Sequence, residues 1–158
     1  MSLPKPFSVL SGEWKGVKRL YLEGARGPEI LCGMRLTLAA AARGCFDEFA
    51  YTWSFEGRPC EGVLLLGYDE PADLATAAWI DSWHQSARVM HLSGSRTNER
   101  TFSVRGAYAA PPGPDWGWRI DIGVPRIEAP DLLSIKMFNV SPEGGEELAV
   151  VMELERVD

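Results

Sequence analysis

Along most of this chain, apolar and polar residues alternate at a spacing of two, and glycine- or proline-containing stretches interrupt the runs. A period of two sends successive side chains to opposite faces of a strand, so the pattern predicts β-strands joined by turns. Ten runs read this way: Trp14–Leu22, Glu29–Leu38, Cys45–Phe55, Cys60–Tyr68, Ala75–Trp83, Ala87–Ser93, Thr101–Ala109, Trp116–Val124, Leu132–Val140 and Glu146–Val157. A short helical turn is expected ahead of them, over Pro4–Ser11. The alanine run Ala39–Ala42 has helical propensity, but it is short and ends at Arg43-Gly44.

Nearly all the links between runs are short. Parallel strands need crossovers of about a dozen residues or more, usually helical, so the strands are expected to form an antiparallel meander. A flat sheet of that many strands exposes two edges, and closing it removes both. The sequence therefore predicts an all-β fold, a single antiparallel up-and-down β-barrel occupying residues 1–158 as one domain. The competing β-sandwich usually uses Greek-key connections, against which sequential short hairpins argue. A chain of 158 residues is long enough for one core to suffice, since a domain of about 150 residues buries roughly 70% of its unfolded surface. Pro111-Pro112-Gly113-Pro114-Asp115 is the firmest break, but each side of it holds only strands in need of partners, so it reads as a loop.

The net charge of −6, with Lys and Arg scattered singly, argues against nucleic acid and against an anionic membrane surface, both of which call for clustered cations. No run reaches the ~20 apolar residues of a spanning helix. The opening residues lack the apolar stretch of a secretory leader. Cys32, Cys45 and Cys60 are odd in number and fit no zinc spacing, so they read as buried or half-buried free thiols in a reducing cytoplasm. No metal or cofactor is called for.

The segment Leu10-Ser11-Gly12-Glu13-Trp14-Lys15-Gly16 carries a Leu-x-Gly-x-Trp-x-Gly pattern. It resembles the first strand of calycin-type barrels, the lipocalins, fatty-acid-binding proteins and nitrobindins, in which the tryptophan plugs one end. Together with Gly67-Tyr68-Asp69-Glu70, and with Trp79-Ile80-Asp81-Ser82 followed by Gly94, it resembles the bacterial DUF1579 family, a domain of unknown function. The resemblance covers about the first two-thirds of the chain and implies a lipocalin-like barrel but no activity. Nitrobindins hold haem through a histidine late in the chain. Here the histidines are His84 and His91, with none after Pro111, which argues against haem in that mode.

Alternation on the fifth run puts Ala77, Trp79, Asp81 and Trp83 on one face. Pointed inward, that face is two indoles flanking a carboxylate, a polar anchor in an apolar pocket. On the third run Phe49, Tyr51, Trp53 and Phe55 share a face, as do Trp116, Trp118, Ile120 and Ile122 on the eighth. His91 on the sixth run is expected to come near Asp81 if the hairpin register allows, whereas His84 in the turn is expected to be exposed.

These residues support three readings, in order. The first is a non-enzymatic barrel binding a small apolar or amphipathic molecule through Tyr51, Trp53, Trp79, Asp81, Trp83 and His91. The second is an interaction module that forms a homodimer through an aromatic outer face. The third is an enzyme that moves protons with Asp81 and His91.

Overall fold

A computed structural model describes residues 7, 10–125 and 131–157. Ten strands are present among them: β1 (Gly12–Leu20), β2 (Ile30–Ala41), β3 (Phe46–Phe55), β4 (Arg58–Asp69), β5 (Leu74–Asp81), β6 (Met90–Asn98), β7 (Thr101–Tyr108), β8 (Trp116–Gly123), β9 (Leu132–Val140) and β10 (Glu146–Arg156). Each pairs antiparallel with its neighbours in sequence, and β1 also pairs with β10, which closes the barrel. The sequence predicts a helical turn over Pro4–Ser11. Most of that segment lies outside the described residues, and what is described is one turn in which the Leu10 amide donates to the Phe7 carbonyl at 2.9 Å. The alanine run continues β2 to Ala41. It then breaks in a tight 3-10 turn, Ala42–Gly44, where Ala42 and Arg43 have φ of 49° and 58°.

Inward parity follows the apolar residues. Leu36, Leu38, Phe49, Leu64, Trp79, Phe102, Ile120, Ile122, Ile135, Met152 and Leu154 are all buried in one continuous core. Their burial, with that of Trp14 and Leu20 on β1 and Met90 and Leu92 on β6, removes the apolar face of every strand from water at roughly 25 cal/mol per Å². The outer wall carries the polar partners, with Arg105 and Arg119 both on the Glu146 carboxylate and Arg19 on Glu153 at 3.0 Å.

An up-and-down barrel gathers alternate turns at each end. One end is filled by Phe7, edge-on to Phe49 at 5.4 Å and tilted on Phe102 at 5.7 Å. Trp14 is also fully buried and donates its Nε1 to the Leu10 carbonyl at 3.0 Å. Gly16 of the same motif is required by close approach of backbones: a Cβ there would lie 1.9 Å from the Glu153 carbonyl oxygen on β10. The other end, the mouth, collects the turns β1–β2, β3–β4, β5–β6, β7–β8 and β9–β10, and the polar residues of the interior lie toward it.

Candidate functional site

The site is built around Asp81, the last residue of β5, whose side chain is 1% exposed. A carboxylate so buried must be satisfied or it will neutralise. Four partners surround it. The Tyr51 hydroxyl on β3 donates to Oδ2 at 2.7 Å. The amides of Trp83 and His84 donate to Oδ1 at 2.8 and 2.9 Å. Lys18 of β1, also fully buried, places its Nζ 3.7 Å from Oδ2. Trp79 in turn donates its Nε1 to the Tyr51 oxygen at 2.9 Å, so the phenol bridges indole and carboxylate. The close approach of Tyr51 to β4 depends on Gly62, where a Cβ would lie 2.4 Å from the hydroxyl oxygen.

The two amide bonds to Asp81 explain the loop that follows. Strand pairing stops at Asp81, and residues 82–89 turn back over the mouth with Asp81 capping their first amides. His84 is thereby drawn inward. Its Nε2 lies 3.1 Å from Lys18 Nζ, and its ring packs among Trp83 (4.6 Å), Trp79 (5.4 Å), Trp53 (6.0 Å) and Trp118 (6.0 Å). The Lys18 ammonium also sits 3.4 Å from the centroid of the Trp53 ring, a cation–π contact.

Burial decides the electrostatics. Loss of hydration pulls the Lys18 ammonium from 10.5 down to about 8, because the attraction of Asp81 offsets only part of it. Burial, and then the Lys18 charge, bring His84 from 6.5 down to about 3. The imidazole is therefore neutral at pH 7, and its Nε2 accepts from the ammonium. Burial first and the Asp81 charge second push the Tyr51 phenol well above its ordinary 10, which keeps it a donor.

Above this cluster the mouth opens into a cleft of about 530 Å³ lined by His84, Gln85, Ser86, Arg88, Tyr108, Ala109 and Trp118. Trp118 stacks on Trp79 at 5.6 Å with nearly parallel planes. The buried Nε1 atoms of Trp118 and Trp53 have no hydrogen-bond partner among the described residues. A wider depression of about 1060 Å³ lies on the outer wall among Lys15, Arg19, Arg35, Lys136, Glu153 and Glu155. Those charges share its lining with Val17, Trp53, Leu132 and Leu133.

Of the residues singled out from sequence, Tyr51, Trp53, Trp79 and Asp81 face the interior together. Trp83 lies past the end of β5, 36% exposed, and packs at the rim on Phe55 (5.1 Å) and Trp53 (5.8 Å). His91 is a correction. Trp79 pairs with Met90, so His91 falls opposite Ala78 on the outer face, exposed, and the wall separates it from Asp81. His84 is the converse correction, half-buried with its ring among four tryptophans where the turn position suggests exposure. Cys45 is also exposed, whereas Cys32 and Cys60 are buried; all three are free. The one sequence signal for Lys18 is its even spacing from Trp14 and Leu20, which puts it on their inward face.

The family model described as "Protein of unknown function (DUF1579)" matches residues 5–156. The chain belongs to the DUF1579 family. Among solved structures, this DUF1579 barrel is similar to the crystal structure of Rv2717c from M. tuberculosis, with a TM-score of 0.63, 12% identity and 99% of each chain covered. That likeness is one of fold alone. A putative outer membrane protein from Bacteroides fragilis (BF2706) also aligns, at 6% identity over 96% of this chain and 99% of that one. Its TM-score of 0.22 carries no argument. None of the curated proteins compared matches the DUF1579 chain.

Proposed function

We propose that this chain is a single-domain, lipocalin-like carrier or sensor barrel that binds a small amphipathic molecule at its mouth without transforming it. The observation that carries the reading is the cleft at Trp118 and His84. Tyr108 and Trp118 wall it, Trp118 brings an indole N–H without an acceptor among the described residues, and His84 joins it to the buried Lys18–Asp81–Tyr51 cluster. Ligand sites pair apolar walls with a few oriented polar groups in this way. An unpaired buried donor costs about 1–3 kcal/mol, which a ligand acceptor recovers on binding. Arg88 at the cleft edge favours a ligand with an acceptor or anionic end.

An apolar interior under a charged wall is the reverse of a lipid-facing barrel, and among the described residues no helix is long and apolar enough to cross a membrane. We accordingly place the barrel in water and, with three free thiols, in the cytoplasm.

Native mass spectrometry of the protein purified from the cells that make it tests the reading. A retained small molecule at one per chain, lost in the Trp118→Ala variant, is expected. Bare protein that also fails to bind any member of an amphipathic library contradicts it.

A further inference from the structure

We propose that Lys18 is a covalent docking point for a small apolar or aromatic aldehyde, which it holds as a protonated imine inside the barrel mouth. The inference rests on the mouth being a ligand site.

The geometry differs from that of an ion pair built only to hold a fold. A buried ammonium has three N–H bonds to satisfy, and among the described residues Lys18 has one polar partner within hydrogen-bond distance, His84 Nε2 at 3.1 Å. Asp81 at 3.7 Å gives charge without a close hydrogen bond, and the remaining side is the face of Trp53. A secondary iminium has one N–H, a delocalised charge and an apolar substituent, and it suits that environment better than an ammonium does. Asp81 and the Trp53 ring stabilise the product cation as they do the reactant.

The reaction balances without an oxidant or reductant. The Lys18 ammonium releases a proton to solvent, and the freed nitrogen lone pair attacks the carbonyl carbon. The carbonyl π electrons move to oxygen, which takes a proton from the attacking nitrogen, and the hydroxyl so formed takes up the proton that the ammonium released. Loss of one water as the C=N bond forms leaves a protonated imine. Overall, an ammonium and an aldehyde give an iminium and water, with charge conserved. Burial supplies neutral amine for the attack, since with its pKa near 8 about a tenth of Lys18 is deprotonated at pH 7, against well under a thousandth of an exposed lysine. Lys18 is fully buried and does not itself line the cleft, so access runs past His84, which both lines it and touches Nζ. An aldehyde in the cleft is one side chain away from the nucleophile, and swinging the 82–89 loop outward removes that barrier.

The test uses the full chain with benzaldehyde and sodium cyanoborohydride, read by intact mass and peptide mapping. Benzyl alcohol, followed by tryptophan fluorescence, serves as the carbonyl-free control. A single adduct on Lys18 is expected, formed about tenfold or more faster than on the exposed Lys15 and Lys136. His84→Ala accelerates it, and Lys18→Arg, with unchanged circular dichroism, abolishes it. Labelling of Lys15 and Lys136 with Lys18 untouched, in both wild type and His84→Ala, overturns the proposal. If benzyl alcohol binds saturably in that case, only the imine falls. If neither compound binds, the ligand reading falls with it.

Discussion

Lys18 Nζ lies 3.7 Å from Asp81 Oδ2, with both side chains fully buried in the wall of a β-barrel whose other inward residues are almost all apolar. Removing charges from water costs several kcal/mol per ion, and a pair recovers this only when both members are present. Lys18→Met strands the carboxylate and is expected to destabilise the fold by about 3–5 kcal/mol, as is Asp81→Asn by stranding the ammonium. The double variant is expected to cost clearly less than the sum. Urea denaturation of the four proteins checks this, and additivity would mean that the two groups do not interact.

His84 makes stability fall with acid. Its folded pKa is depressed to about 3 from 6.5, so below pH 6.5 the unfolded chain takes up a proton that the folded chain refuses. The stabilisation from the neutral imidazole is complete above pH 6.5 and is lost as pH falls toward 3. Between pH 6.5 and 5 the loss is about 2 kcal/mol. His84→Gln should flatten that slope in urea titrations at fixed pH.

Lys18 acts in the opposite window. With a folded pKa near 8 against 10.5, the folded chain binds fewer protons between those values, so stability is expected to rise with pH across them. Lys18→Met removes that rise, as equilibrium unfolding at pH 8 and pH 10 would show.

Tyr51 links Trp79 to Asp81 through one oxygen. Tyr51→Phe leaves a buried indole N–H without its acceptor and takes one donor from the carboxylate, for an expected cost of about 2–4 kcal/mol. Gly62→Ala should act through the same phenol, by pushing it off Asp81, for about 1–3 kcal/mol. Both are read from thermal unfolding, and both should shift Trp79 emission.

Much of this was legible in the sequence. The strand count and order follow from the period-two pattern with its short turns. That Tyr51 shares a face with Trp53, and Trp79 with Asp81, follows from parity within β3 and β5; that the Trp79–Asp81 face turns inward does not. What depends on register between strands was not legible. His91 was placed near Asp81 by assuming that β5 ran on to Trp83. Asp81 instead ends the strand by capping the amides of Trp83 and His84, and the longer 82–89 loop puts His91 outside and His84 inside. The sequence does not single out Lys18, because lysine is almost never fully buried unless paired, and its partner sits 63 residues further along the chain, on a strand that is not adjacent in the sheet. Accordingly His91→Ala should leave stability within about 0.5 kcal/mol, as an exposed outer-wall change does.

The indole N–H resonances of the tryptophans offer the most direct test of the mouth as a ligand site. Trp118 and Trp53 carry unpartnered Nε1 groups at the mouth end, while Trp14 is bonded to the Leu10 carbonyl at the closed end. In a nitrogen–proton correlation titration with benzyl alcohol, the Trp118 resonance should shift saturably, with Trp53 following and Trp14 unmoved. A saturating shift at Trp14 with Trp118 unchanged, or no shift at any indole, would contradict the account.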